Sequence, residues 1–106
     1  MEINERIEQQ LDQHPVLLYM KGTPDFPQCG FSSQVVAALK ACGREFAYVN
    51  IFEDPEIREG LKSYSNWPTF PQLYINAELI GGADIAVEMY HSGELKSLLD
   101  AVEQPS

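Results

Sequence analysis

The stretch VLLYMKGTPDFPQCGFSSQVVAALKACGREFAYVNIF, residues 16–52, carries three patterns in one run. VLLYM, 16–20, is a short apolar segment suited to a buried strand. Residues 21–28 interrupt it with Pro24 and Pro27 and predict a loop. From Phe31 to Cys42 the apolar positions Phe31, Val35, Val36, Leu39 and Cys42 recur with helical spacing, and Gly43 suits the stop. FAYVNIF, 46–52, alternates and is rich in aromatic and β-branched residues, which predicts a second strand. Strand, helix and strand in that order imply parallel strands joined by a right-handed crossover.

The flanks complete the pattern. Ile3, Ile7 and Leu11 lie on one face of a helix over 2–13, which Pro15 ends. Asp54 caps a third helix with Pro55 at its first position, and Ile57, Leu61 and Tyr64 form its inner face. Asn66 to Pro71 is a rigid connector. QLYI and ELIG flank Asn76-Ala77 as a hairpin. GGAD, 81–84, opens a helix with Ile85, Met89 and Tyr90 on its face, and Ser92-Gly93 breaks it. Leu95, Leu98, Leu99 and Val102 mark a closing helix over 94–102. The expectation is an α/β fold: a mixed four-stranded sheet with helices on both faces, in one domain over residues 1–106. Tyr19, Phe46, Tyr48 and Tyr74 fall in strand patterns and are expected in the core.

Composition narrows the function. Apolar residues make up 44% of the 106 residues, enough for one core. The net charge of −9 argues against nucleic-acid binding, which needs a basic surface. No apolar run approaches the roughly 18 residues that span a bilayer. The acidic start MEINERIEQQ is unlike a secretory signal, so a cytoplasmic protein is expected. His14 and His91 are too few and too scattered to suggest zinc; His14 is expected in solvent and His91 late on its helix.

Two cysteines remain. A helix from about 30 to 42 would put Cys29 and Cys42 about 20 Å apart at 1.5 Å per residue, whereas a disulfide needs Cα atoms within about 7 Å. Cys29 stands where backbone N–H groups and the helix dipole favour an anion, so its thiol should be acidic, and Lys21 across the loop adds positive charge. Cys42 closes the apolar face of the helix and is expected in the core. Ser32 occupies the position where a CxxC motif would carry its second cysteine.

CGFS at 29–32 after a KGTP-type loop, WPTFPQ at 67–72 and GGAD at 81–84 together resemble the CGFS class of monothiol glutaredoxins, in the thioredoxin-like superfamily. The likeness runs from about Ile3 to Val102 and is closest to the short, single-domain bacterial type. It implies a glutaredoxin fold and glutathione as ligand. On that pattern, Lys21 and Arg58 meet a glutathione carboxylate. Thr69 and Phe70 precede a cis Pro71, and the main chain of Phe70 pairs with the glutathione backbone. Gly82 lets the chain approach closely, the N–H groups of Ala83 and Asp84 hold the γ-glutamyl carboxylate, and the Asp84 side chain caps the helix or meets the ligand's ammonium. Ala83 stands where many relatives carry cysteine or serine, so no second redox thiol is expected there.

The resemblance further implies a [2Fe–2S] cluster. Such a cluster needs four ligands. One chain offers one thiolate as metal ligand, Cys29; two chains and two glutathiones supply four. The first expectation is a glutathione-bound homodimer that carries a labile cluster to acceptor proteins and associates with a BolA-type partner. The second is a glutathione-dependent monothiol oxidoreductase acting on glutathionylated proteins, an activity that is generally poor in this class. A thioredoxin-like adaptor without redox chemistry is a third possibility, disfavoured by the intact Cys29.

Overall fold

The computed structural model describes residues 2–102. Met1 and residues 103–106, the ends of the domain expected over 1–106, lie outside the described residues. The elements run α1 Ile3–Gln13, β1 Val16–Met20, α2 Gly30–Ala41, β2 Ala47–Asn50, α3 Pro55–Ser65, β3 Gln72–Ile75, β4 Glu78–Gly81, α4 Ala83–Ser92 and α5 Glu94–Ala101.

The sheet has four strands in the order β2-β1-β3-β4. β1 pairs in parallel with β2 and antiparallel with β3, and β3 pairs antiparallel with β4. β1 is therefore interior, which explains why all five of its residues are apolar and buried. Its side chains alternate between two cores. Val16, Leu18 and Met20 join Val35, Leu39, Ala86, Leu95 and Leu99 beneath α2, α4 and α5. Leu17 and Tyr19 join Ile7, Leu11, Ile57, Leu61 and Tyr74 beneath α1 and α3. The mixed sheet with helices on both faces is as the sequence predicts.

Local chemistry accounts for the ends. Asp54 Oδ1 accepts from Ile57 N at 3.2 Å and so caps α3, with Pro55 at N1. Its other oxygen pairs with Arg6 Nη2 at 2.6 Å and ties α3 to α1. Asn76 and Ala77 both have positive φ, 51° and 65°, the backbone that a tight two-residue hairpin requires.

Two expectations need correction. β2 stops at Asn50 instead of running to Phe52. The Asn50 side chain accepts from Gly22 N and Phe52 N, both at 3.0 Å, and its carbonyl accepts from Glu53 N at 3.0 Å, which turns the chain out of the sheet. Ile51 still reaches the core, whereas Phe52 is exposed. Tyr48 is also exposed, at 45%. It sits on an edge strand opposite Leu18, where one side of the strand has no neighbouring strand among the described residues. Phe46 lies before β2 and packs partly buried against the α2 side.

Candidate functional site

The loop between β1 and α2 is fixed before it reaches the thiol. Gly22 has φ +93°, and a Cβ there would lie 2.6 Å from Phe26 O and 2.7 Å from Gln28 N, so only glycine fits. Lys21 O accepts from Gln28 N at 2.9 Å, and Thr23 and Phe26 bond each other's main chain. Ser32 is fully buried, and its Oγ accepts from Lys21 N at 3.1 Å. The serine at the fourth CGFS position thus fastens the loop to the first turn of α2.

Cys29 is the N-cap residue of α2, half-buried, with extended backbone. Its thiol is held below the ordinary value. The main-chain N–H of Ser32 is the largest cause; the N–H of Phe31, the charge of Lys21 and the Ser32 hydroxyl act the same way, against burial. Cys42 is the C-cap at the opposite end of α2. It packs partly buried against the core, and burial pushes its thiol up. Both cysteines are free.

A cleft of about 500 Å³ opens beside this turn. Lys21, Thr69, Phe70, Pro71, Gly82, Ala83 and Asp84, singled out in sequence, all line it. Three elements bring them there. α3 ends at Asn66 in the left-handed region, and Ser65 Oγ accepts from Trp67 N at 3.1 Å, which starts the turn. The Phe70–Pro71 bond is cis and leads directly into β3. β4 then delivers Gly82, the N-cap of α4. Asp84 lies inside the first turn, one residue past the helix start, so the N-cap position is corrected to Gly82.

The cleft wall includes three residues that sequence patterns placed elsewhere: Phe31, Trp67 and Ile85. Phe31 is 57% exposed although its spacing matches the inner face of α2. Trp67 Nε1 is buried without a partner among the described residues and faces Gly82, where a Cβ would lie 3.5 Å away. Arg58, in the first turns of α3, is half-buried; its Nε also lacks a partner among the described residues, and it stands outside the cleft lining. A second hollow of about 280 Å³ lies at the far end of the sheet near His14 and Arg44. It holds no thiol, and Arg44 Nη1 is already engaged by Leu99 O and Val102 O.

A family model described as glutaredoxin matches residues 16–80, the span from β1 into β4 that holds the loop, the thiol and the Trp67–Pro71 wall of the cleft. The chain belongs to the glutaredoxin family. It is 57% identical over 95 residues to glutaredoxin 4 of Escherichia coli strain K12, covering 90% of this chain and 83% of that one. It is 58% identical over 97 residues to monothiol glutaredoxin-S11 of rice, covering 92% of this chain and 20% of that longer protein. The solution structure of reduced poplar apo GrxS14 matches with a TM-score of 0.80 and 52% identity, over 92% of this chain and 90% of that one. This monothiol glutaredoxin therefore presents one acidic thiol at a helix start, beside a cleft of suitable size for a small peptide. Among the described residues no helix is long and apolar enough to cross a membrane.

Proposed function

We propose that this glutaredoxin binds glutathione in the cleft and carries a labile [2Fe–2S] cluster, shared between two copies, to acceptor proteins. The observation that carries the proposal is the pairing of one acidic thiol with a peptide-sized cleft and no second thiol in reach. Ser32 occupies the neighbouring position and is committed to Lys21 N, and Cys42 caps the other end of α2.

The cleft suits a peptide with carboxylates. Trp67 Nε1 on its wall and Arg58 Nε outside its lining are buried donors without acceptors among the described residues, and buried donors are ordinarily bonded. Lys21 adds a cation at the rim. In this reading Lys21 and Arg58 meet one carboxylate, and the N–H groups of Ala83 and Asp84 at the start of α4 meet the γ-glutamyl carboxylate. Thr69, Phe70 and Pro71 form the wall along which the peptide lies, and Gly82 allows close approach. The glutathione sulfur then points towards Cys29.

The ligand count sets the assembly. Among the described residues no group of three or more His, Cys, Asp or Glu side chains could hold a metal. Two Cys29 thiolates and two glutathione thiolates make four. Because two of these ligands are untethered, the cargo is transferable. Acceptor apoproteins and a BolA-type protein are the partners this role implies, in a cytoplasmic setting where thiols stay reduced.

The acidity of Cys29 also favours a second activity. Its thiolate attacks the glutathione sulfur of a glutathionylated protein, and the protein thiolate leaves and takes up a proton. The thiolate of free glutathione then attacks the Cys29–glutathione disulfide, releasing oxidised glutathione and restoring the Cys29 thiolate. Reconstitution with iron and sulfide, with and without glutathione, separates the two. The carrier reading expects visible cluster absorption only with glutathione, lost in Cys29→Ser and kept in Cys42→Ser. A colourless protein with fast deglutathionylation would overturn it in favour of the enzyme.

A further inference from the structure

Gln72 is the first residue of β3, immediately after Pro71, and its side chain is fully buried. A buried carboxamide is unfavourable unless its donors and acceptor are bonded. Here Nε2 donates to Trp67 O at 3.0 Å and to Thr69 O at 3.3 Å, while Oε1 accepts from the Tyr74 hydroxyl at 3.2 Å. The two carbonyls belong to the turn whose Trp67, Thr69 and Phe70 wall the cleft. Tyr74 in turn packs edge-on against Tyr19, ring centroids 5.6 Å apart, in the core under α1 and α3. One side chain therefore links the cleft wall to the interior of the sheet.

We propose that Gln72 is a positioning residue that sets the geometry of the Trp67–Phe70 turn and, through it, the affinity for glutathione. The affinity part rests on the glutathione reading above. Gln72 itself lies outside the cleft lining and is not among the groups that act on the Cys29 thiol, so its loss is expected to act on binding and leave the thiol alone. Its length matters, because one carboxamide nitrogen spans two carbonyls. Glutamate would keep the shape and lose the donors, leaving both carbonyls unpaired beside a carboxylate.

Trp67 is the sole tryptophan, so its fluorescence reports the turn directly. The test compares Gln72→Met with the unsubstituted protein in three measurements. These are Trp67 emission without ligand, glutathione affinity in a Cys29→Ser background where no exchange occurs, and the alkylation rate of Cys29. The expected result is a shifted emission maximum, about tenfold weaker glutathione binding from two lost hydrogen bonds, and an unchanged alkylation rate. Native emission with native affinity overturns the proposal. So does an alkylation rate that falls in step with affinity, the mark of general loosening. If the unsubstituted protein fails to bind glutathione, the ligand reading and the affinity part fall, while a shifted Trp67 emission still supports Gln72 as the residue that shapes the turn. Should Gln72→Met not fold, Gln72→Glu carries the same expectations, and native behaviour in it overturns the proposal.

Discussion

At the scale of single residues, Cys29 owes its acidity to a helix start. The main-chain N–H of Ser32 acts most strongly on the thiol, and the Ser32 hydroxyl least. Ser32→Ala is therefore expected to raise the thiol only part-way towards the free value near 8.5. The pH dependence of Cys29 alkylation reads this directly, and a full return to that value would contradict the ranking. Cys29 and its acidity were legible in sequence, because a cysteine before a helical pattern needs no tertiary information. The cleft position of Trp67 and Phe31 was not. An aromatic side chain that walls a cleft has the same spacing as one in a core, and only the packing shows which of the two it does.

At the scale of elements, caps and hairpins were written plainly in the chain. Asp54-Pro55 set the start of α3, and Asp54 also pairs with Arg6 on α1. Asp54→Ala should cost about 1–2 kcal/mol, read as a lower urea midpoint; a native midpoint would mean the cap and its ion pair add nothing. The extent of β2 was less legible. Residues 46–52 alternate throughout, yet the Asn50 side chain bonds two main-chain N–H groups and ends the strand. The bond from Gly22 joins residues far apart in sequence, and Gly22 must come close before it exists. Tyr48 escaped prediction for a related reason, since alternation says which face a residue takes but not whether a helix reaches it. Arg58 was chosen with the cleft residues, yet it stands outside the lining, because the reach of a side chain is not encoded in motif order.

At the scale of the whole molecule, the two cores differ in chemistry. The α1–α3 side contains Tyr19 and Tyr74, whose hydroxyls are bonded to Gln10 and Gln72. Burial pushes Tyr74 up to about 12 and Tyr19 higher still. Both exceed the ordinary tyrosine value near 10, so between those values the unfolded chain loses protons that the folded one keeps. Stability should be intact below pH 10 and fall as pH rises from 10 towards 12. Urea unfolding at pH 9 and pH 11.5 is expected to show this loss, with about 2 kcal/mol of it absent in Tyr74→Phe. A loss of the same size in the variant would contradict it.

The proposed function belongs to the same scale, because one chain offers a single acidic thiol beside its cleft and the proposed cluster needs four ligands. Native mass spectrometry of the reconstituted protein tests that count. The account predicts a coloured species of two chains, one [2Fe–2S] cluster and two glutathiones. A cluster held by a single chain, or by two chains without glutathione, would contradict it.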